Sequence, residues 1–158
     1  MINKNQLTQR SFTTSQLSGF DGAHSIQLPV DFIHDLSKAA SLQAVLDTIA
    51  YWISHMFDAD RASITLQDTE EYLKLYSISG NHAIPIEQTF VGRVFAQSQL
   101  IICDDLAQSD ELDCKMLSEH GMGTCMDAPM IHNGVCIGTL NVADQRKHHY
   151  TLQQVILL

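Results

Sequence analysis

Four cysteines, Cys103, Cys114, Cys125 and Cys136, recur every 11 residues along the chain. Thiols can bind a soft metal, close a disulfide or attack as thiolates. No two of these form a Cys-x-x-Cys pair, and their flanking residues share no pattern. The even spacing therefore reads as coincidence, and the thiols as reduced side chains outside any zinc site or disulfide frame. Grouping His120 with Cys114 and Cys125 matches no recognised metal-ligand spacing. His148–His149 falls in a loop, where exposed histidine is ordinary. No metal or cofactor is expected. Asp127 is the sharper signal, a lone carboxylate in an apolar stretch.

Positioning these residues requires a core, and 158 residues at 45% apolar content suffice for one domain. The formal net charge of −9 excludes nucleic acids and anionic membrane surfaces as partners, because both select basic faces. No apolar run approaches the roughly 20 residues that span a bilayer. The polar stretch Met1 to Gly19 lacks a signal pattern, so a cytoplasmic location is expected.

Residues 1–28 are rich in Ser, Thr, Gln and Asn and are expected as a flexible polar arm. Pro29 and Asp31 open a linker helix over 29–40. Ser41 then caps an amphipathic helix whose Leu42, Val45, Leu46, Ile49, Ile53 and Met56 fall at helical spacing. Alternation predicts strands at Arg61–Gln67 and Tyr72–Ser79, and Ile84–Ile86 suggests a short strand broken by Pro85. A helix at Phe90–Ala96, a buried strand at Leu100–Cys103 and a helix over Asp110–His120 ended by Gly121 follow. Thr124–Ile131 and Val135–Ala143 flank His132–Asn133–Gly134, the strongest hairpin signal. A last helix opens after Thr151 and stops at four apolar residues, as in a chain cut from something longer. The fold class is α+β, an antiparallel sheet with helices on its faces.

The hairpin has two readings. A two-residue loop mixes polar and apolar side chains on each face. A three-residue loop with Gly134 at the bulge sets Cys125 opposite Asn141 and Asp127 opposite Thr139. The second reading is preferred, since Met126, Ala128 and Met130 then share a face with Cys136, Leu140 and Val142. Cys125, Asp127, Thr139 and Asn141 occupy the other face with Ser63 and Thr65. Either water or the segment 80–120 covers that face. Phe90, Val91, Phe95 and Leu117 need cover themselves, which favours a roof over a pocket. Beneath a roof, Asp127 needs a partner, for which His120 is the candidate, or a raised pKa. The alternative is that Asp127 reaches water.

Several strings in this order, Asp58-Ala59-Asp60-Arg61-Ala62-Ser63-Ile64, Phe90-Val91-Gly92-Arg93-Val94-Phe95, Ile101-Ile102-Cys103-Asp104-Asp105-Leu106, Gly121-Met122-Gly123, Ala128-Pro129-Met130 and Asn133 to Val142, resemble the GAF family pattern over residues 41–158. The resemblance implies a sheet between helices. The first and last helices lie on one face, often pairing with a second subunit, and a small-molecule pocket lies on the other. It also implies control of an output domain such as a cyclase, phosphodiesterase, kinase or diguanylate cyclase. The pocket candidates are Ser63, Thr65, Thr139, Asn141, Cys125 and Asp127 from the strands. Phe90, Val91, Phe95, His120 and Met122 join them from the roof.

Departures narrow this reading. The Lys and Asp-Glu of cyclic-nucleotide binders are missing after Asn141, and Lys115 rather than His follows Cys114, unlike bilin-anchoring relatives. The family pattern usually has an apolar residue where Asp127 stands. The branch that reduces free methionine sulfoxide uses several cysteines. Cys103 and Cys125 could approach one another, but that branch's surrounding motif is absent. The regulatory reading therefore leads, with a thiol reductase or a ligand-free dimerisation module as alternatives.

Overall fold

Ser41 has an extended backbone, and its hydroxyl accepts the Ala44 N–H at 3.1 Å. That cap starts α1 (Leu42–Met56), whose Leu46, Ala50 and Ile53 line the buried stripe. The computed structural model describes residues 9–12, 40–77 and 80–150. The expected linker helix over 29–40, all but Ala40, and the last helix after Thr151 lie outside them, as does any pairing through that last helix.

Among the described residues seven strands form one antiparallel sheet: β1 (Gln9–Phe12), β2 (Arg61–Gln67), β3 (Tyr72–Ser77), β4 (Gly80–Pro85), β5 (Leu100–Cys103), β6 (Thr124–His132) and β7 (Val135–Asp144). Their spatial order is β1-β5-β6-β7-β2-β3-β4. β4 is longer than the fragment expected around Ile84, because it pairs with β3 from Ser77↔Gly80 to Tyr72↔Pro85. Proline is tolerated at the end of that edge strand, where no ladder N–H is required.

β1 corrects the expected polar arm at four residues. Gln9–Phe12 pair with β5, from Gln9↔Cys103 to Phe12↔Leu100. Arg10 donates to both carboxylate oxygens of Asp104 at 2.8 Å and to the Tyr150 carbonyl at 3.1 Å. Composition averaged over 28 residues hides this. An open sheet edge recruits backbone groups whatever the side chains, and one forked arginine fixes the register.

The hairpin also differs from expectation. Asn133 and Gly134 both have positive φ (50° and 77°), and His132 pairs with Val135, so the loop has two residues. Ile131 pairs with Cys136 but Met130 pairs with Gly138, leaving Ile137 as a bulge. Beyond the bulge Asp127 faces Asn141, Cys125 faces Ala143 and Pro129 faces Thr139. This register is two residues from the expected one. An even slip leaves every side chain on its expected face. Cys136, on the far side of the bulge, is the exception: it lies opposite Ile131, on the side of β6 that carries Asp127, and close to Ser98. Gly138 is required at the bend, since a Cβ there would stand 1.9 Å from the Thr65 carbonyl oxygen.

Helices cover both faces. Ile53 and Phe57 pack against Leu100, Ile102, Met126, Ala128 and Val142 on one. On the other, α2 (Phe90–Gln97) and α3 (Leu112–Glu119) bring Phe90, Val94 and Cys114 onto Ile101, Cys103, Cys125 and Ala143. The segment expected as a roof therefore covers the face that carries the polar strand residues.

Candidate functional site

Under the roof, four strand side chains form a directed hydrogen-bond chain. Thr65 and Thr139 are register partners, with their hydroxyls 2.6 Å apart and the Thr139 N–H donating to Thr65 Oγ1. The Thr139 hydroxyl donates to Asn141 Oδ1 at 2.8 Å, and Asn141 Nδ2 donates to Ser63 Oγ at 3.2 Å. Both threonines are fully buried, whereas Ser63 and Asn141 are half-buried. A serine hydroxyl and an amide NH₂ carry more hydrogens than this chain uses. Among the described residues nothing accepts from the Ser63 hydroxyl or the second Asn141 N–H, at the more open end.

Asp127 adjoins that end, opposite Asn141 on one side and Ile101 on the other. It is only 5% exposed. Among the described residues nothing donates a hydrogen bond or forms an ion pair with its carboxylate. Burial pushes its pKa well above the usual carboxylate range, and the nearby charges of Asp113 and Glu111 push it the same way. The expected partner is not there. His120 is exposed beyond the end of α3, its Nδ1 2.7 Å from the Met116 carbonyl oxygen.

Asp113 was not legible as a site residue. Its two carboxylate oxygens accept the N–H groups of Phe90 and Val91, at 2.8 and 2.9 Å, which caps α2 from a different helix. Burial raises its pKa, and these two N–H bonds oppose the rise. Thr89 adds a local cap by accepting from Gly92 N–H at 3.0 Å. Glu111, at the start of α3, binds Arg93 at 2.9 Å and Gln9 at 3.0 Å, and Arg93 also donates to the Gln9 side chain. The edge strand, α2 and α3 are thereby tied together. Gly92 presses α2 onto the chain after β4, where an added Cβ would lie 1.9 Å from the Ile86 carbonyl oxygen.

The cysteine spacing brings three thiols together after all. Cys103 and Cys125 are register partners, and Cys114 of α3 reaches both. All three are buried. The Cys114 contact and burial raise the pKa of Cys103. For Cys114, the Cys103 contact favours the thiolate but is outweighed by the Cys125 contact and burial. Burial pushes Cys125 up to about 12. Thiols in this state stay protonated at neutral pH and are poor nucleophiles. Among the described residues no group of His, Cys, Asp and Glu is arranged to hold a metal ion.

Of the expected pocket residues, Ser63, Thr65, Asp127, Thr139 and Asn141 share one face, and Cys125 joins the thiols. Phe90 and Met122 pack into the apolar core beside them. Val91 is buried and Phe95 half-buried on α2, and His120 stands apart.

The chain belongs to the GAF domain family, whose pattern matches residues 41–158. Solved structures share the fold. The GAF domain of an Acinetobacter phosphoenolpyruvate-protein phosphotransferase is 15% identical, with a TM-score of 0.65 over 80% of this chain and 81% of that one. Free methionine-R-sulfoxide reductase from Neisseria meningitidis, solved in complex with its substrate, is 18% identical, with a TM-score of 0.63 over 80% and 77%. A far-red absorbing protein with bound biliverdin is 14% identical, with a TM-score of 0.60 over 81% and 89%. No curated protein matches the sequence. Among the described residues no helix is long and apolar enough to cross a membrane.

Proposed function

We propose that this GAF domain is the sensory module of a cytoplasmic signalling protein, binding a small molecule between the sheet and the α2–α3 roof. In this reading it pairs with a second copy through its first and last helices and passes ligand occupancy to an output domain such as a cyclase, phosphodiesterase, kinase or diguanylate cyclase. The observation that carries the reading is Asp127, a carboxylate only 5% exposed to which no described residue donates, beside donors on Asn141 and Ser63 that no described residue accepts. Buried polar groups left unpaired in a folded core are costly, and a ligand is one way to satisfy them. Two proteins of the same fold hold small molecules, one biliverdin and one a sulfoxide substrate. Asp113 of α3 and Thr89 hold the start of α2, so the two roof helices are coupled at that end.

Thiol reduction is the competing reading, favoured by the gathering of Cys103, Cys114 and Cys125. Their raised pKa values argue against it, since such chemistry needs an accessible thiolate. Native mass spectrometry of the purified chain, set against its denatured mass, tests the binding reading. A non-covalent excess lost on denaturation is the expected result. A bare dimer whose roofed face takes up no compound would instead leave a dimerisation module.

A further inference from the structure

Resting on that reading, the structure assigns a chemical class to the ligand. We propose that the roofed site takes a small organic cation, an amine protonated at neutral pH, with Asp127 as its counter-ion.

The argument is one of charge and donor balance. A carboxylate is an acceptor-only group, so what Asp127 lacks is N–H or O–H donors. The charged groups acting on it are Asp113 of α3 and Glu111 at the start of that helix, both acidic. Glu111 already binds Arg93, and Asp113 already accepts three backbone N–H groups. The neighbouring Cys103, Cys114 and Cys125 are held as neutral thiols, and Ile101 and Asn141, its register partners, carry no charge. His120 is turned away. An anionic ligand would meet uncompensated negative charge here, and a neutral one would supply donors but no compensating charge. An ammonium group supplies both the missing charge and the missing donors. The Ser63 hydroxyl oxygen and the apolar wall at Ile101 and Phe90 suit a short carbon body behind it.

The test uses two matched trios that differ only in head group: butylammonium, butanol and butyrate, and benzylammonium, benzyl alcohol and benzoate. Binding to the full chain is followed by NMR through the backbone amides of Ser63, Asp127 and Asn141. The expected result is saturable binding of an ammonium at least tenfold tighter than its alcohol and carboxylate counterparts. Asp127→Asn removes that preference. In wild-type protein the ammonium affinity rises as much as tenfold per pH unit below the Asp127 titration and levels off above it, because the deprotonated carboxylate is the binding form. That pH dependence needs no variant. Equal binding of alcohol or carboxylate, unaffected by Asp127→Asn, would overturn the ligand class and leave the pocket standing. No perturbation of that face by any of the six compounds would overturn both.

Discussion

Asp113 belongs to the roof, half-buried on α3, and Asp127 lies buried beneath it; both have raised pKa values. They differ in what they hold. Asp113 accepts the N–H groups of Phe90 and Val91, fixing the start of α2, and that of Cys114 on its own helix. Asp127 accepts none among the described residues. The same side chain is a structural clamp in one place and an open valence in the other. Function is therefore sought where the folded chain has not used its own hydrogen-bonding capacity.

The contrast can be broken most forcefully at Asp113. Asp113→Ala leaves two buried N–H groups without acceptors and should cost about 3 kcal/mol, given about 1.5–3 kcal/mol for a hydrogen bond to a charged group. Urea unfolding measures this, and a loss below about 1 kcal/mol would mean that Asp113 is no clamp. Gly92→Ala attacks the same roof sterically. Its methyl group would meet the Ile86 carbonyl oxygen, and the overpacking should cost about 2 kcal/mol in the same assay.

Asp127→Asn should act in the opposite direction. A carboxyl with a raised folded-state pKa binds its proton more tightly in the folded protein. Its contribution to stability is therefore greatest below the unfolded pKa, near 4, and is lost as pH rises through the folded value. The variant should match wild type near pH 4 and exceed it at pH 7, where the wild-type carboxyl is held away from its unfolded-state ionisation. Calorimetry at the two pH values reads the difference, and a variant less stable at pH 7 would reveal a partner for the carboxylate. The smallest effect is expected at the sheet edge. Arg10→Ala removes a forked but partly exposed ion pair with Asp104, costing about 0.5–1 kcal/mol, and hydrogen exchange should show β1 fraying before the rest of the sheet.

Most of this frame was legible in the chain. Periodicity marks α1 and β2, and the two-residue alternation places Asp127 with Thr139, Asn141, Ser63 and Thr65. That grouping survives a register error because a slip of two preserves the face. The bulge at Ile137 was not legible, since nothing in Val135–Gly138 signals which residue the close approach of Thr65 will extrude. It carried Cys136 to the opposite face. β1 stayed hidden because edge pairing depends on backbone groups supplied from far along the chain. Asp113 was read only as part of a helix, because its partners Phe90 and Val91 lie more than 20 residues away and only the packed fold brings them together. His120 followed the opposite course: adjacent in the sequence to the site strand, it points away once Gly121 turns the chain at φ +87°.

The central claim is that Asp127 is a sheltered carboxylate to which no group among the described residues donates. The most direct measurement is the ¹³C shift of its side-chain carboxyl, followed by NMR across a pH titration of ligand-free protein. The account predicts a single transition well above the usual value near 4, moving downward when an alkylammonium is added. A transition at the ordinary value, or one indifferent to the cation, would contradict it.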